Sequence, residues 1–345
     1  MMMKKLLFAL LGTLLSVSLS AQMMPDSTFQ VIAYWEVGDS LSYTCKNQTV
    51  KKGSDGTENV EDDSSEIWNF KVVGQTDSTY TMQLTFSDVV PTADVSPGIE
   101  TEIYRKILER CKLLFVTDEY GSILEFPDLT ESLTEMVNSI PLVIDEVSAG
   151  YSKKDLKKMG FDKEALTANY EAVFSSPIVV QAFCRAPESL LKFHGTKLDP
   201  KEEYRFEDEF DNLMGTGSLK NEVTFWVDPA LSDSVSVVIY TASEAGNDKM
   251  LPLMQEASLA VLRSQLPEDQ WKQAEEELAL QFYAGGVDVK FSERTGTEVD
   301  LYSGWPVQYH LERQVLIKMG EETNEVFVTQ DVRIKKSSEA PAPEQ

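Results

Sequence analysis

An alternation of apolar and polar residues with a period of two recurs at both ends of this chain, and it limits the fold more than any other feature. Tyr80, Met82, Leu84 and Phe86 put four apolar side chains on one side of an extended segment, with Thr81, Gln83 and Thr85 on the other. Such a segment is a strand with one dry and one wet face, the habit of antiparallel sheets. Leu41, Tyr43 and Cys45 alternate likewise after a Gly38-Asp39 turn, as do Trp68, Phe70 and Val72 before a polar turn at residues 74–78. Residues 31–36 read as a further strand. The pattern returns in Tyr204 and Phe206, in Val223, Phe225 and Val227, and in Val235, Val237 and Ile239. Four closing strands are expected at residues 287–293, 297–302, 306–318 and 324–334.

Between these stretches the apolar spacing lengthens to that of helices. Ile99, Ile103, Ile107 and Leu108, with Tyr104 and Cys111, form one stripe, opened by Ser96 as cap and Pro97 in the first turn. A short hairpin, 113–117 with 122–126, follows. Asp128 and Glu131 at capping-box spacing then start a helix with Leu129, Leu133, Met136, Val137 and Ile140 inward. Residues 141–194 read as helical, clearest at 162–174, with Pro177 and Pro187 starting further short helices and Gly195 stopping the last. Two later helices are expected at 250–262 and 267–283. The second has Glu268 and Asp269 in its first turn, Trp271, Ala274, Leu278 and Phe282 along one side, and Gly285-Gly286 at its end.

Strands adjoin strands here and do not alternate singly with helices. The expected class is therefore α+β: an antiparallel curved sheet, or sheets, interrupted by helical insertions and open to division into two similar halves. The division runs as a leader at 1–21, a β-rich half at 22–140, a helical middle at 141–199, a second β-rich half at 200–335 and a disordered tail at 336–345.

The leader carries Lys4 and Lys5, an apolar run from Leu6 to Leu15, then small residues up to Ala21. That is the make-up of a cleaved secretory signal, and the run is too short for a bilayer, which needs about 20 residues. The first cysteine is Cys45, so no lipid-anchor cysteine is expected near the exit, nor a transmembrane segment in the mature chain. A periplasmic or secreted location follows. The net charge is −26, and −28 once Lys4 and Lys5 leave with the signal. A surface so acidic repels nucleic acid, whose binding rests on clustered Lys and Arg. Cys45, Cys111 and Cys184 permit one bridge at most and leave three pairings open, but Cys45 and Cys111 fall on apolar faces, where thiols act as small hydrophobes.

Motifs that carry chemistry are sparse. His194 and His310 are the two histidines; His194 sits at a helix end and His310 inside a strand, and both read as structural. Ser189 and Lys192 fit the Ser-x-x-Lys of penicillin-interacting enzymes without the Ser-x-Asn element those enzymes need. Asp55, Thr57, Asn59, Glu61, Asp63 and Glu66 stand at positions 1, 3, 5, 7, 9 and 12 of a calcium loop, but Val60 replaces the glycine of its sharp turn. An acidic, solvated hairpin loop is the plainer expectation, and Glu207, Asp208, Glu209 and Asp211 read the same way. Residues 302–306, Tyr-Ser-Gly-Trp-Pro, read as a tight aromatic corner. No catalytic, cofactor-binding or metal-binding residue is assigned, and no cofactor is expected.

Residues 296–306 together with the early Gly38-Asp39-Ser40-Leu41-Ser42-Tyr43 resemble a family of uncharacterised secreted or periplasmic β-rich proteins of Gram-negative bacteria. The resemblance implies an exported β-rich protein and transfers no site residues. Helices on the concave side of a curved sheet also resemble, in outline, periplasmic carriers of lipid or lipoprotein. The expected function is therefore non-enzymatic binding of an apolar ligand or of a protein partner. The alternative is a hydrolase working through paired carboxylates or calcium, for example on glycans.

Because Phe86 and Phe225 stand on the dry side of their strands, replacing either with Asp buries an unpaired carboxylate. Phe86→Asp and Phe225→Asp are each expected to abolish cooperative unfolding in a thermal melt. A normal melt for either would refute the strand assignment.

Overall fold

Strand β2 (Ser40–Lys52) finds partners on both sides, β3 (Glu58–Gln75) and β13 (Glu322–Ile334). Beyond β3 the sheet continues through β4 (Thr79–Val90), β5 (Lys112–Asp118) and β6 (Ile123–Glu125). Beyond β13 it runs through β12 (Pro306–Met319), β11 (Val287–Asp300), β10 (Ser236–Ala245), β9 (Ser218–Val227) and β8 (Glu203–Asp211). The result is one antiparallel sheet of 11 strands, linear in order, with β6 at one edge and β8 at the other. A separate two-stranded ladder joins β1 (Phe29–Gln30) to β7 (Lys197–Leu198). This computed structural model describes residues 28–90, 98–127, 129–211, 218–228, 236–265, 267, 270–284 and 286–335. The leader, Ser96, Pro97, Asp128, Val235, Glu268, Asp269, Gly285 and the tail at 336–345 lie outside them.

Directly opposed residues of an antiparallel pair point to the same face. Tyr43, Trp68 and Phe86 form one such row, and Val72, Met82 and Phe115 another. Helices α1 (Ile99–Glu109), α2 (Leu129–Ser148), α4 (Lys163–Phe174) and α5 (Pro177–Leu191) cover these rows with Ile103, Ile107, Met136, Ile140, Ile144, Phe174 and Phe183. The short α3 (Lys153–Lys158) links α2 to α4. The same face continues into the second half, where α6 (Asn247–Gln265) sets Met250, Leu251 and Met254 on Val223, Phe291 and Val315. Helix α7 (Trp271–Ala284) lies against α6 and adds Phe282. At the opposite end of those strands, Phe29, Val31, Phe193 and Leu198 cap Phe225, Val227, Ile239 and Val299. Lys46, Lys71, Lys290, Arg294 and Glu312 stand exposed on the other face. Among the described residues, no helix is long and apolar enough to cross a membrane.

The α+β class with one large antiparallel sheet agrees with the alternation, and four local expectations need correction. Residues 31–36 are not a strand. Val31, Ala33 and Trp35 are buried in alternation, but their backbone bonds go to scattered loops: Ala33 N–H to Tyr120, Tyr34 N–H to Ser303, and Val31 beside His194. Period two reports which side is buried, not whether a ladder partner exists. Pro187 does not begin a new helix; it lies inside α5, as Pro141 lies inside α2. An internal proline costs roughly 3 kcal/mol, and buried neighbours on both sides (Ile140, Val143 and Ile144; Ala186 and Leu190) outweigh it. Residues 287–302 are not two strands, since β11 runs unbroken through Gly296. A Cβ there would meet the Tyr240 ring at 3.2 Å, so this glycine admits an aromatic neighbour and makes no turn. Finally, Asn59, Glu61 and Asp63 belong to β3 and not to a loop, with Lys51 pairing Glu61 at 3.3 Å across the ladder.

The corner at residues 302–306 pins the ends of the fold. Gly304 sits at φ 74°, and a Cβ there would lie 2.2 Å from the Ile32 carbonyl oxygen. Trp305 packs on Trp35 with ring centroids 4.6 Å apart. His194 is fully enclosed beside them, its Nε2–H donating to the Gly304 carbonyl at 2.7 Å while Nδ1 has no partner. Burial pushes this imidazole down to about 4. The unfolded chain takes up its proton near pH 6.5 and the folded chain only near pH 4, so His194 costs stability as pH falls through that window. Wild type is expected to lose about 3 kcal/mol across it relative to His194→Gln, which keeps a donor and does not titrate. Parallel urea titrations of the two proteins between pH 7 and 4 that track each other would refute this.

Candidate binding cleft

The dry face of the sheet is interrupted in its middle. Along β11 the inward positions run Val289, Phe291, Glu293, Thr295, Thr297, Val299, apolar at both ends and polar between. Register carries the polar band sideways. Glu293 opposes Arg313 on β12 and Ser243 on β10, and Ser243 opposes Val223 beside Asn221 on β9. In the other direction Thr295 leads to Leu311, then Gln330 on β13, then Asn47 on β2.

Helix α5 overhangs this band and leaves a cleft of about 550 Å³, open to solvent. Its floor is Asn47, Gln330, Tyr309, Arg313, Glu293 and Thr297, and its wall is Gln181, Arg185, Ser189 and Lys192. Arg313 grips one oxygen of Glu293 through Nε at 2.6 Å and Nη2 at 2.5 Å, with both side chains only 10% exposed. The Arg313 guanidinium also lies 5.9 Å from the Phe291 ring centroid. Lys192 pairs with Asp208 at 2.5 Å and sits over the Phe206 ring at 4.9 Å. Gln330 donates to the Asn47 amide oxygen at 2.9 Å. Burial pushes the Tyr309 phenol and the Glu188 carboxyl up, the latter against the opposing field of Arg185. Thr297 is 1% exposed, and its hydroxyl has no hydrogen-bond partner.

Two further hollows adjoin the cleft. One of about 200 Å³ is walled by Phe86, Phe174, Val179 and Phe183, and shares Trp68, Ala182 and Ala186 with the cleft. The other, about 520 Å³, holds Asp62, Glu66, Glu100, Tyr104 and Tyr170 and meets the cleft at Asn47. Burial raises Glu66, whose carboxylate accepts the Trp68 indole N–H at 2.5 Å. Polar cleft, aromatic pocket and acidic hollow form one groove between the helix layer and the sheet.

The sequence candidates distribute unevenly around this groove. Asp55 is exposed in the β2–β3 turn, where it accepts the Thr57 N–H at 2.8 Å and is held low by the Thr57 hydroxyl and N–H together. Of the six calcium-loop positions only Glu66 lines the groove, and among the described residues no group of three or more His, Cys, Asp or Glu gathers around a metal site. Ser189 and Lys192 do line the cleft, but the Ser189 hydroxyl donates back to the Ala186 carbonyl at 3.1 Å and Lys192 is held by Asp208. Asp208 and the exposed Glu209 form its rim, while Glu207 is exposed beside them. His310 faces the other side of the sheet, bonded to Asp331 at 2.9 Å. Cys45 and Cys111 are buried free thiols and Cys184 is a half-buried one, pushed up by burial to about 11. Arg313, Glu293, Gln330 and Thr297 were not singled out from the sequence. The signal for them was the polar middle of the inward positions of β11.

No family model matches the chain, and no curated protein does. Among solved structures it is similar to lipovitellin, in a structure concerned with lipid–protein interactions, at 8% identity and a TM-score of 0.35 over 90% of this chain. The match spans about a quarter of the lipovitellin chain, 26%. It is also similar to OmpT, an outer membrane protein of Vibrio cholerae, at 9% identity and a TM-score of 0.17, over 88% of this chain and 74% of that one. Both scores are too low to indicate a shared fold.

Removing Arg313 alone strands the Glu293 carboxylate under the helix layer. Arg313→Met is expected to cost about 3–5 kcal/mol in urea unfolding, and Arg313→Met with Glu293→Met to recover most of it. Equal losses in the single and double variants would mean that the pair carries no coupling.

Proposed function

We propose that the chain is an exported, non-enzymatic binding protein whose groove receives an amphiphile, with the apolar part among Phe86, Phe183 and Trp68 and the polar part over the Arg313–Glu293 floor. The observation that carries this reading is the direct junction of an aromatic pocket with a polar cleft, shared at Trp68, Ala182 and Ala186. A purely apolar ligand would leave the buried floor groups facing hydrocarbon, which costs about 1–3 kcal/mol for each unmet polar group. A purely polar ligand would leave the aromatic pocket unused. The cleft is within the size range of small-molecule sites, roughly 300–1,000 Å³. The hydrolase alternative draws less support, because the floor carboxylate Glu293 is engaged by Arg313 and the rim carboxylate Asp208 by Lys192. Location outside the cytoplasm rests on the leader at residues 1–21.

The test is to purify the chain from residue 22 onward out of an exporting cell and weigh it under native conditions. Extra mass that disappears on denaturation and is extracted as an amphiphile is the expected result. Ala182→Trp, which plugs the junction from an exposed helix position, is expected to remove that mass while leaving the thermal melt within a few degrees. A clean apo mass with no uptake of added amphiphile would overturn the proposal.

A further inference from the structure

We infer that the polar end of this ligand is a neutral, hydroxyl-rich group, a glycosyl or polyol head and not an ionic one. This rests on the amphiphile reading and adds the chemistry of the head. The first argument is charge compensation. Arg313 is bound to Glu293 and Lys192 to Asp208, while Arg185 lies in the field of Glu188. An anionic head would have to strip Arg313 from a carboxylate held at 2.5 Å while facing Glu293 itself. A cationic head would equally have to displace Arg313 from Glu293, or Lys192 from Asp208. The excess acid, Glu209, is exposed at the rim, where water and salt screen it. Neither sign of charge is well received at the centre of the cleft.

The second argument is hydrogen-bond valence. The Thr297 hydroxyl is enclosed at the floor and bonded to nothing in the protein, although a buried hydroxyl normally finds a partner. Tyr309 stands across the ladder from it, and the Gln330 and Asn47 amides lie further along the same floor; each of these groups can both donate and accept. An alcohol group does the same, so a run of ligand hydroxyls can meet both the donors and the acceptors of such a floor, whereas a phosphate offers chiefly acceptors and a quaternary ammonium offers neither. A site built to hydrogen-bond a hydroxyl discriminates strongly against ligands that lack it.

The experiment is titration calorimetry of the mature chain with three octyl amphiphiles below their aggregation concentrations: octyl glucoside, octyl phosphate and octyltrimethylammonium. The glucoside is expected to bind at least tenfold tighter than either ionic compound. Thr297→Val, isosteric and free of the stranded hydroxyl, is expected to weaken the glucoside about tenfold and leave the ionic compounds unchanged, while Thr297→Ser keeps wild-type affinity. Either ionic compound binding as tightly as the glucoside would overturn the head-group assignment and leave the amphiphile reading standing. Failure of all three to bind would overturn both. Unchanged glucoside affinity in a folded Thr297→Val protein would also overturn the assignment, since a water molecule would then be sufficient company for that hydroxyl.

Discussion

The pairing of β2 with β13 is the interaction on which the rest of the architecture depends. Ten register pairs, from Glu325 against Lys52 to Ile334 against Tyr43, join two meanders that would otherwise be separate sheets. The seam sets Val332 against Cys45 and Gln330 against Asn47, which aligns the inward faces of the two halves. Because side chains alternate with a period of two, a slip of one residue would turn every inward group of one half to solvent. The buried Tyr43, whose hydroxyl donates to the Pro306 carbonyl at 2.8 Å, helps to hold that register from the helix-covered side. Asn47 reaches the cleft floor only because the seam is made.

Much of the sheet was legible in the sequence, because strands with one dry face write their burial into every second residue. Tyr80 to Phe86 and Val223 to Val227 are such cases. What the pattern cannot carry is the identity of the neighbour. Residues 31–36 alternate as faithfully as any strand and are buried as one, yet they spend their backbone groups on loops. The continuity of the helix through Pro187 escaped for a related reason: a local cost is visible in the sequence, while the tertiary burial that exceeds it is not. At the cleft, Glu293 reads as the end of one strand and Thr297 as the start of the next, with Thr295 between them, when all three are the middle of a long one. Arg313 and Gln330 become floor residues only through cross-strand register, which no single stretch of sequence displays.

The polar band also explains where the helices stop. Apolar cover lies over the first half of the sheet, over the α6 end of β9 to β12, and over the β1 end of the same strands. Between these three clusters the sheet offers ions, amides and hydroxyls, against which another apolar helix face could not pack without stranding polar groups. The groove is thus a boundary between separate hydrophobic clusters, held open by what the strands present. Its shape follows from the choice of side chains at a few inward positions of β11, β12 and β13, with the backbone beneath them unbroken.

The seam between β2 and β13 has a consequence in time. Gln330 and Cys45, which touch across it, are 285 residues apart in the chain. Synthesis delivers β2 and its meander long before β13 exists, so one side of β2 stays an unpaired edge while the remaining strands are made. Contacts this distant form late, since the intervening chain must be ordered or confined first. An open edge in a waiting half-sheet is also a template for the wrong partner, including the same edge of another copy. The strand that completes the molecule is thereby the one that ends its exposure to aggregation.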